Sequence, residues 1–233
     1  MKLHSMAFKP AWLALLMGLI PTTQIIAKQK EVLFICDPIQ QEIVNDAIKE
    51  LKGKIKPSFA SGISAYDSGT VLKELDLIIG DTDWDLIYFN FGIADLLHID
   101  PGSEQIRIMN KDAGGLRATS IYQYERNLNA LVAKLKSTNT PLLWGTTTPL
   151  KTINFFPSFQ KGLFDANSEI EYNECSLVIM ERNQIPVIDF HRFIMEAFKE
   201  DEKHPPYSKY GPAMKKKGKP LHKAFVYYLE RLR

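Results

Sequence analysis

The sequence WDLIYFNFGIADL, residues 84–96, contains the clearest indication of the fold. Its residues 86–89 are apolar without interruption, which is typical of a strand buried on both faces of a parallel sheet. Gly92 predicts the end of this strand, and the polar residues Asn90 and Asp95 lie on either side of it. Because ligands of open parallel sheets bind at the carboxyl ends of the strands, residues 90–95 are candidates for a functional site.

Similar patterns extend in both directions from this stretch. Three further apolar runs predict strands, and helical periodicity predicts helices between and after them. The strands fall at 32–36, 141–144 and 186–188, and the helices at 43–51, 70–79, 120–136, 167–182, 190–198 and 221–232. Polar or irregular connections are expected at 58–69, 101–118 and 146–164. The alternation predicts an α/β protein with three α/β/α layers and a flavodoxin-like parallel sheet of about five strands.

The amino terminus differs from the rest of the chain. Lys2 and Lys9 precede an apolar run at 11–20, and Pro21 and small or polar residues lead to Ala27. This pattern predicts a secretory signal peptide at 1–27, followed by a single domain at 28–233. The apolar run is about half the length that a membrane-spanning helix needs, so membrane contact is expected only if this segment stays uncleaved. The protein is therefore expected to be exported, either periplasmic or secreted from a bacterium.

Charge and cysteine content exclude several functions. Without the two lysines of residues 1–27, the chain has 27 basic and 27 acidic residues, which gives no electrostatic footprint for nucleic acid. The basic run at 215–223 is interpreted as a solvated face. Cys36 and Cys175 are expected to remain separate thiols. The sequence contains no metal-ligand motif and no phosphate-binding loop, so it implies no metal and no cofactor.

Five segments in order resemble the SGNH/GDSL hydrolases, in particular secreted bacterial members. They are residues 75–96, the helix residues Tyr122, Tyr124, Asn127 and Leu128, the Thr-Thr-Pro strand end at 144–149, Asn173, and residues 185–189. The resemblance covers about residues 31–232. It implies an α/β/α domain that carries a serine-dependent esterase site.

The first block of that family is Gly-Asp-Ser, and the corresponding residues here are Cys36, Asp37 and Pro38. In the family the serine attacks the acyl carbonyl, and its amide helps to hold the oxyanion. Proline has neither a hydroxyl nor an amide hydrogen, so this one residue removes both functions. Loss of one oxyanion donor alone lowers the rate by about 10²–10³.

The other blocks also differ from the family pattern. The third block, Gly-x-Asn-Asp in the family, is Gly92-Ile93-Ala94-Asp95 here, and Ala94 offers no oxyanion donor. Asp95 is retained, and in such a turn a carboxylate also serves simply to bind loop amides. Gly62 and Gly69 are both candidates for the glycine of the second block.

Two alignments compete for the fifth block, Asp-x-x-His, which supplies the base. One places it at Asp201 and His204; the other places it at Tyr210 and Ala213, with Gly218 at a glycine that usually follows. We favour the second, which keeps both Gly211 and Gly218. The protein would then lack the acid and the base as well as the serine.

No alternative nucleophile stands out. Cys36 follows a buried strand and is interpreted as an inert thiol. Three serines in the loop near the site, Ser61, Ser64 and Ser68, have no base placed for them. The histidines His98, His191 and His222 are isolated in the sequence and are interpreted as structural or surface residues.

Three hypotheses follow. The first is a catalytically degenerate exported protein that binds a glycan or ester ligand in the inherited cleft, with Trp144, Phe155 and Phe156 available to stack on sugar. The second is an active carboxylic-ester hydrolase or carbohydrate deacetylase with rearranged groups that uses Asp201 and His204. The third is a structural or interaction protein whose cleft is closed by bulky side chains.

Overall fold

The computed structural model describes residues 28–61, 66–103, 106–150, 162–199, 226–228 and 230–231. In chain order, its elements are β1 (Lys30–Ile35), α1 (Pro38–Glu50), β2 (Ile55–Phe59), α2 (Ser68–Ile79), β3 (Leu86–Phe89), α3 (Ile93–Leu96), β4 (His98–Ile99), a 3₁₀ turn (Lys111–Ala113), β5 (Leu116–Arg117), α4 (Ile121–Ser137), β6 (Leu142–Gly145), α5 (Ser168–Arg182), β7 (Val187–Ile188) and α6 (Phe190–Lys199). The predicted signal peptide at 1–27 lies outside the described residues, and so does most of the predicted helix at 221–232. No helix in the described ranges has the length and apolar content required to cross a membrane.

Five strands form one parallel sheet in the order β2-β1-β3-β6-β7. This is the flavodoxin-like order, and it confirms the predicted fold class. The strand order reverses between β1 and β3, so the ligand-binding crevice of such a sheet is expected beside the carboxyl end of β1.

Strand β2 was not predicted from the sequence, whereas the other four strands of the main sheet were. It contains Pro57, which lies between the predicted helix at 43–51 and the predicted loop at 58–69, and it extends into that loop. Pro57 pairs with Val32 on β1, and no other described strand pairs with the far side of β2. An edge strand tolerates proline because one row of its amides makes no ladder hydrogen bonds.

Side chains alternate between two cores, one on each face of the sheet. Leu33 and Ile35 of β1 face the core formed with α2, α4 and α5, whereas Val32 and Phe34 face the core formed with α1 and α6. The apolar residues at helical spacing in α4 are all buried: Tyr124, Leu128, Leu131 and Leu135.

Trp144 belongs to the core that the sheet forms with α2, α4 and α5. Its ring centroid lies 5.0 Å from that of Phe89 and 6.0 Å from that of Phe91, and the side chain is fully buried. The suggestion that Trp144 stacks on sugar is therefore wrong. The other two aromatics of that suggestion, Phe155 and Phe156, lie outside the described residues.

A second, two-stranded sheet interrupts the connection between α3 and α4, where the sequence predicted only a polar loop. Strands β4 and β5 are antiparallel, with His98 opposite Arg117 and Ile99 opposite Leu116. Each strand has only two residues, too few for an alternating pattern to be recognised.

Candidate functional site

The carboxyl ends of β1, β3, β6 and β7 bring four polar segments to one edge of the main sheet. These segments are Asp37-Pro38, residues 90–95, residues 146–148, and Asp189. The residues that correspond to the family's first and third blocks therefore follow neighbouring strands, on either side of the point where the strand order reverses. This edge is the candidate functional site.

Pro38 is the first residue of α1, and it is exposed at the sheet edge. Asp37 stabilises the start of this helix, since its Oδ1 accepts a hydrogen bond from the Gln40 amide (2.9 Å) and its carbonyl accepts one from Gln41 (2.9 Å). Proline is favoured at the first helical position because its fixed φ suits a helix and the missing amide hydrogen would have no partner within the helix. The fold thus accommodates Pro38 readily, while the position presents neither a hydroxyl nor an amide hydrogen.

Cys36 is buried against the α1 side of the sheet. Burial, and secondarily the nearby Asp37 carboxylate, raise the pKa of the Cys36 thiol well above its usual value. Since the thiolate is the nucleophilic form, the raised pKa and the burial support the interpretation of Cys36 as a structural thiol. Cys36 and Cys175 are both free thiols.

A buried polar cluster joins the ends of β3 and β6 to the first turn of α1. The Tyr88 hydroxyl donates to Gln40 Oε1, Gln40 Nε2 donates to the Thr146 carbonyl (2.5 Å), and Asn90 Nδ2 donates to the Gly145 carbonyl (2.9 Å). Gly145 has to be glycine here, because a Cβ would lie 2.0 Å from the Tyr88 hydroxyl. This cluster fixes the carboxyl ends of β3 and β6 relative to the first turn of α1.

Gly92 also occupies a position that only glycine fits. Its φ is 151°, and a Cβ would lie 2.1 Å from Thr147 Oγ1 on the neighbouring strand end. Gly92 immediately precedes α3, which contains Ala94 and Asp95.

Asp95 is fully buried and binds the start of α2. Its two carboxylate oxygens each accept from the Ser68 amide at 3.0 Å, and Oδ1 also accepts from the Ser68 hydroxyl at 2.6 Å. Burial raises the pKa of Asp95 to about 7, although the hydrogen bonds from Ser68 and Thr119 oppose that rise. Asp95 therefore serves a structural purpose, and Ser68, which is fully buried and hydrogen-bonded to it, cannot act as a free nucleophile.

Gly69 does not offer its amide to a ligand. That amide donates to Asp67 Oδ1 (3.1 Å), which also accepts from Thr70 (2.9 Å) and caps α2. The alternative glycine, Gly62, and Ser64 lie outside the described residues, and Ser61 is exposed.

Asn173 of α5 fixes the end of β6. Its Oδ1 accepts from the Thr147 amide (2.8 Å) and its Nδ2 donates to the Thr147 carbonyl (2.9 Å), so one side chain satisfies both backbone groups of that residue. Nearby, Thr146 Oγ1 accepts from the His191 amide (3.0 Å) and donates to Asp189 Oδ1 (3.2 Å), which ties β6 to the start of α6.

The two described histidines have different environments. His98 is buried, with Nδ1 2.9 Å from the Gly162 carbonyl and Nε2 3.4 Å from Asp165, so it is a satisfied structural histidine, as expected. His191 is not isolated: its Nε2 lies 3.5 Å from Oε1 of Glu169, a buried residue in the first turn of α5. Sequence reasoning missed this pair, because its members lie 22 positions apart in the sequence with β7 between them.

The remaining candidates from the sequence cannot be placed. Both alignments of the fifth block, Asp201 with His204 and Tyr210 with Ala213, lie outside the described residues, as does His222.

Comparison with solved structures identifies the fold. An acetyl xylan esterase superposes with a TM-score of 0.55 at 15% identity, over 74% of this chain and 83% of its own. A catalytic mutant of an acetylxylan esterase from Geobacillus stearothermophilus gives 0.54 at 14% identity, over 73% and 80%. A lipase/acylhydrolase from Enterococcus faecalis gives 0.51 at 13%, over 72% and 79%. The chain thus has the fold of the SGNH/GDSL hydrolases, as the sequence resemblance implied.

No protein-family model matches the sequence, and no curated protein matches it. At identities of 13–15% the structural likeness shows the fold, and function must be argued from the site itself.

Proposed function

We propose that this chain is an exported SGNH-like protein that has lost acyl-transfer chemistry and binds a glycan or ester ligand at the inherited sheet edge. One observation carries the proposal: Pro38 is the first residue of α1, at the carboxyl end of β1, where the family's Gly-Asp-Ser block would place the nucleophile. The side chain there has no oxygen, and the backbone has no hydrogen to donate.

The neighbouring residues support the same conclusion. Ala94 presents a methyl group in place of an oxyanion donor, and Asp95 and Gly69 are committed to hydrogen bonds at the start of α2. Cys36, whose pKa is raised by burial, does not replace the serine. Because loss of a nucleophile in such a site costs far more than loss of one oxyanion donor, catalysis by the family mechanism is not expected.

The proposed ligand class is an acetylated carbohydrate. Two of the structural neighbours are acetylxylan esterases. Open parallel sheets of this kind bind their ligands at the carboxyl ends of the strands, which is the edge where Pro38 lies. A protein that keeps this edge but lacks the nucleophile is suited to binding such a ligand without cleaving it.

Export is proposed from the sequence of residues 1–27. We expect a full-length chain expressed in a bacterium to be recovered outside the cytoplasm, with a mature amino terminus close to Lys28. Retention of Met1 on a cytoplasmic protein would contradict this part of the proposal.

An ester panel tests the loss of catalysis. Purified protein is incubated with p-nitrophenyl acetate and with acetylated xylan, beside an active acetylxylan esterase as the positive control. We expect release of product at the rate of buffer alone, with no change in a His204→Ala variant or in the matched control His222→Ala. Hydrolysis well above the buffer rate that His204→Ala abolishes would overturn the proposal in favour of an active esterase.

A further inference from the structure

The carboxylate of Glu169 and the imidazole of His191 lie side by side at the candidate site, away from Pro38. Neither residue belongs to the family's sequence blocks. Glu169 projects from the first turn of α5 and its side chain is only 2% exposed. His191 projects from the first turn of α6, and its Nε2 lies 3.5 Å from Glu169 Oε1. Glu169 is therefore a buried carboxylate that lies beside one ring nitrogen of His191.

The two nitrogens of His191 face different surroundings. Nε2 is inaccessible to solvent, as is Glu169 Oε2, and neither atom has a hydrogen-bond partner among the described residues. The His191 side chain as a whole is nevertheless 20% exposed, so the solvent-exposed part of the ring does not include Nε2. A carboxylate beside one ring nitrogen favours the tautomer that is protonated there, which leaves a lone pair on the other nitrogen. Glu169 thus favours the tautomer in which Nδ1 of His191 is a hydrogen-bond acceptor.

We propose that His191, held in this tautomer by Glu169, accepts a hydrogen bond from a sugar hydroxyl of the bound carbohydrate. His191 is the ligand-contact residue and Glu169 is a positioning residue. The inference rests on the proposed ligand-binding function and deepens it by naming a subsite. The His191 amide is held by Thr146 and α5 is held at β6 by Asn173, so both members of the pair sit on fixed elements.

The location of the pair favours an oligosaccharide over a short ester. His191 follows β7 and Pro38 follows β1, and the sheet order places three strand spacings between these strands. At about 4.8 Å per spacing, the two ends are roughly 14 Å apart. A ligand that contacts both must therefore extend along the sheet edge, as a chain of sugar units does.

Binding of acetylated xylo-oligosaccharides of four to six sugar units, measured by isothermal titration calorimetry, tests the inference. His191→Ala is expected to weaken binding about tenfold, the equivalent of one hydrogen bond of roughly 1.4 kcal/mol. His191→Asn places an amide oxygen near the position of Nδ1 and is expected to stay within about threefold of the wild type. His191→Gln places its amide near the position of Nε2 and is expected to bind as weakly as His191→Ala.

Glu169→Gln is expected to weaken binding several-fold by removing the bias in the tautomer. The matched controls are Glu171→Gln, on the same helix turn with a 57% exposed side chain, and Arg192→Gln, next to His191 with a 74% exposed side chain. Both are expected to bind as the wild type does. Thermal melting of each variant confirms that it is folded at the temperature of the titration.

Long-range ¹H–¹⁵N spectra of the histidine rings give an independent readout that loss of packing alone would not produce. We expect His191 to be protonated at Nε2 in the wild type and to show a mixed tautomer in Glu169→Gln. An Nδ1–H tautomer in the wild type, or unchanged affinity in His191→Ala and His191→Gln, would overturn the subsite alone. Absence of any binding by the wild type would overturn the proposed function, and the subsite with it.

Discussion

At the scale of single residues, Pro38 suits the fold and is also the residue on which the proposed loss of acyl transfer depends. Position 38 begins a helix, and proline suits that position better than most residues do. The same ring deprives the sheet edge of an attacking oxygen and of an amide donor. The stabilising and the chemical consequences of Pro38 thus have one cause, which is the ring closed onto its nitrogen.

Asp95 provides a residue-scale prediction on pH. Its pKa is about 7 in the folded chain, because of burial, against about 4 in an unfolded chain. Between these values the folded state holds a proton that the unfolded state has released, so the free energy of unfolding falls as pH rises from 4 to 7, by at most about 1.4 kcal/mol per pH unit from this group. Below pH 4 the contribution of this residue is constant.

Urea unfolding of the wild type and of Asp95→Asn across pH 4 to 8 measures this effect. The variant cannot titrate at position 95, so we expect its free energy of unfolding to depend less steeply on pH in this window. The carboxyl of Asp165, whose pKa is lowered by Lys111 and Arg117, affects stability only at lower pH and does not interfere. Identical slopes for the two proteins would show that Asp95 does not hold its proton in the folded state.

At the scale of secondary-structure elements, a single side chain decides how α5 meets β6. Asn173 forms two hydrogen bonds to the backbone of Thr147, both of them buried. Asn173→Ala removes both partners and leaves a buried amide and carbonyl unsatisfied, so we expect a loss of about 2–3 kcal/mol in the free energy of unfolding. Asn129→Ala on α4 removes one exposed hydrogen bond and serves as the control, with an expected loss well below 1 kcal/mol. Equal losses in the two variants would contradict the proposed role of Asn173.

The sequence predicts the elements whose side chains repeat a regular pattern. Strands β1, β3 and β6 are continuous apolar runs, and α2, α4 and α5 have helical periodicity, so the fold and the position of Pro38 at a strand end follow from the sequence. The edge strand β2 was not predicted because it contains a proline and lacks a continuous apolar run, since Lys56 and Pro57 are exposed. Trp144 lies within β6, all four residues of which are buried, so its burial follows from the cores that cover both faces of the sheet.

The candidate site was less predictable than the fold, for a physical reason. The contact between Glu169 and His191 exists only because the first turns of α5 and α6 lie side by side, beyond the ends of β6 and β7. Neither residue belongs to a motif, and nothing in the local sequence links them. Local patterns specify elements, whereas such a contact depends on how the elements are arranged.

At the scale of the whole molecule, the chain combines a five-stranded SGNH-type sheet with Pro38 at the carboxyl end of β1, where we propose that the family's serine has been lost. Among the described residues, two apolar cores cover the two faces of the sheet, and Pro38 belongs to neither. The same edge still carries buried polar groups, including Glu169 and His191, which is where we place ligand contact. The account therefore predicts recognition of a carbohydrate without its hydrolysis.

Intact-mass spectrometry after incubation with a fluorophosphonate tests the central claim most directly, because the reagent forms a stable adduct with an activated serine. We predict that the mass of the wild-type protein is unchanged under conditions in which an active acetylxylan esterase is fully labelled. A stoichiometric adduct that maps to one serine of this chain would contradict the account, since it would prove that an activated nucleophile exists elsewhere.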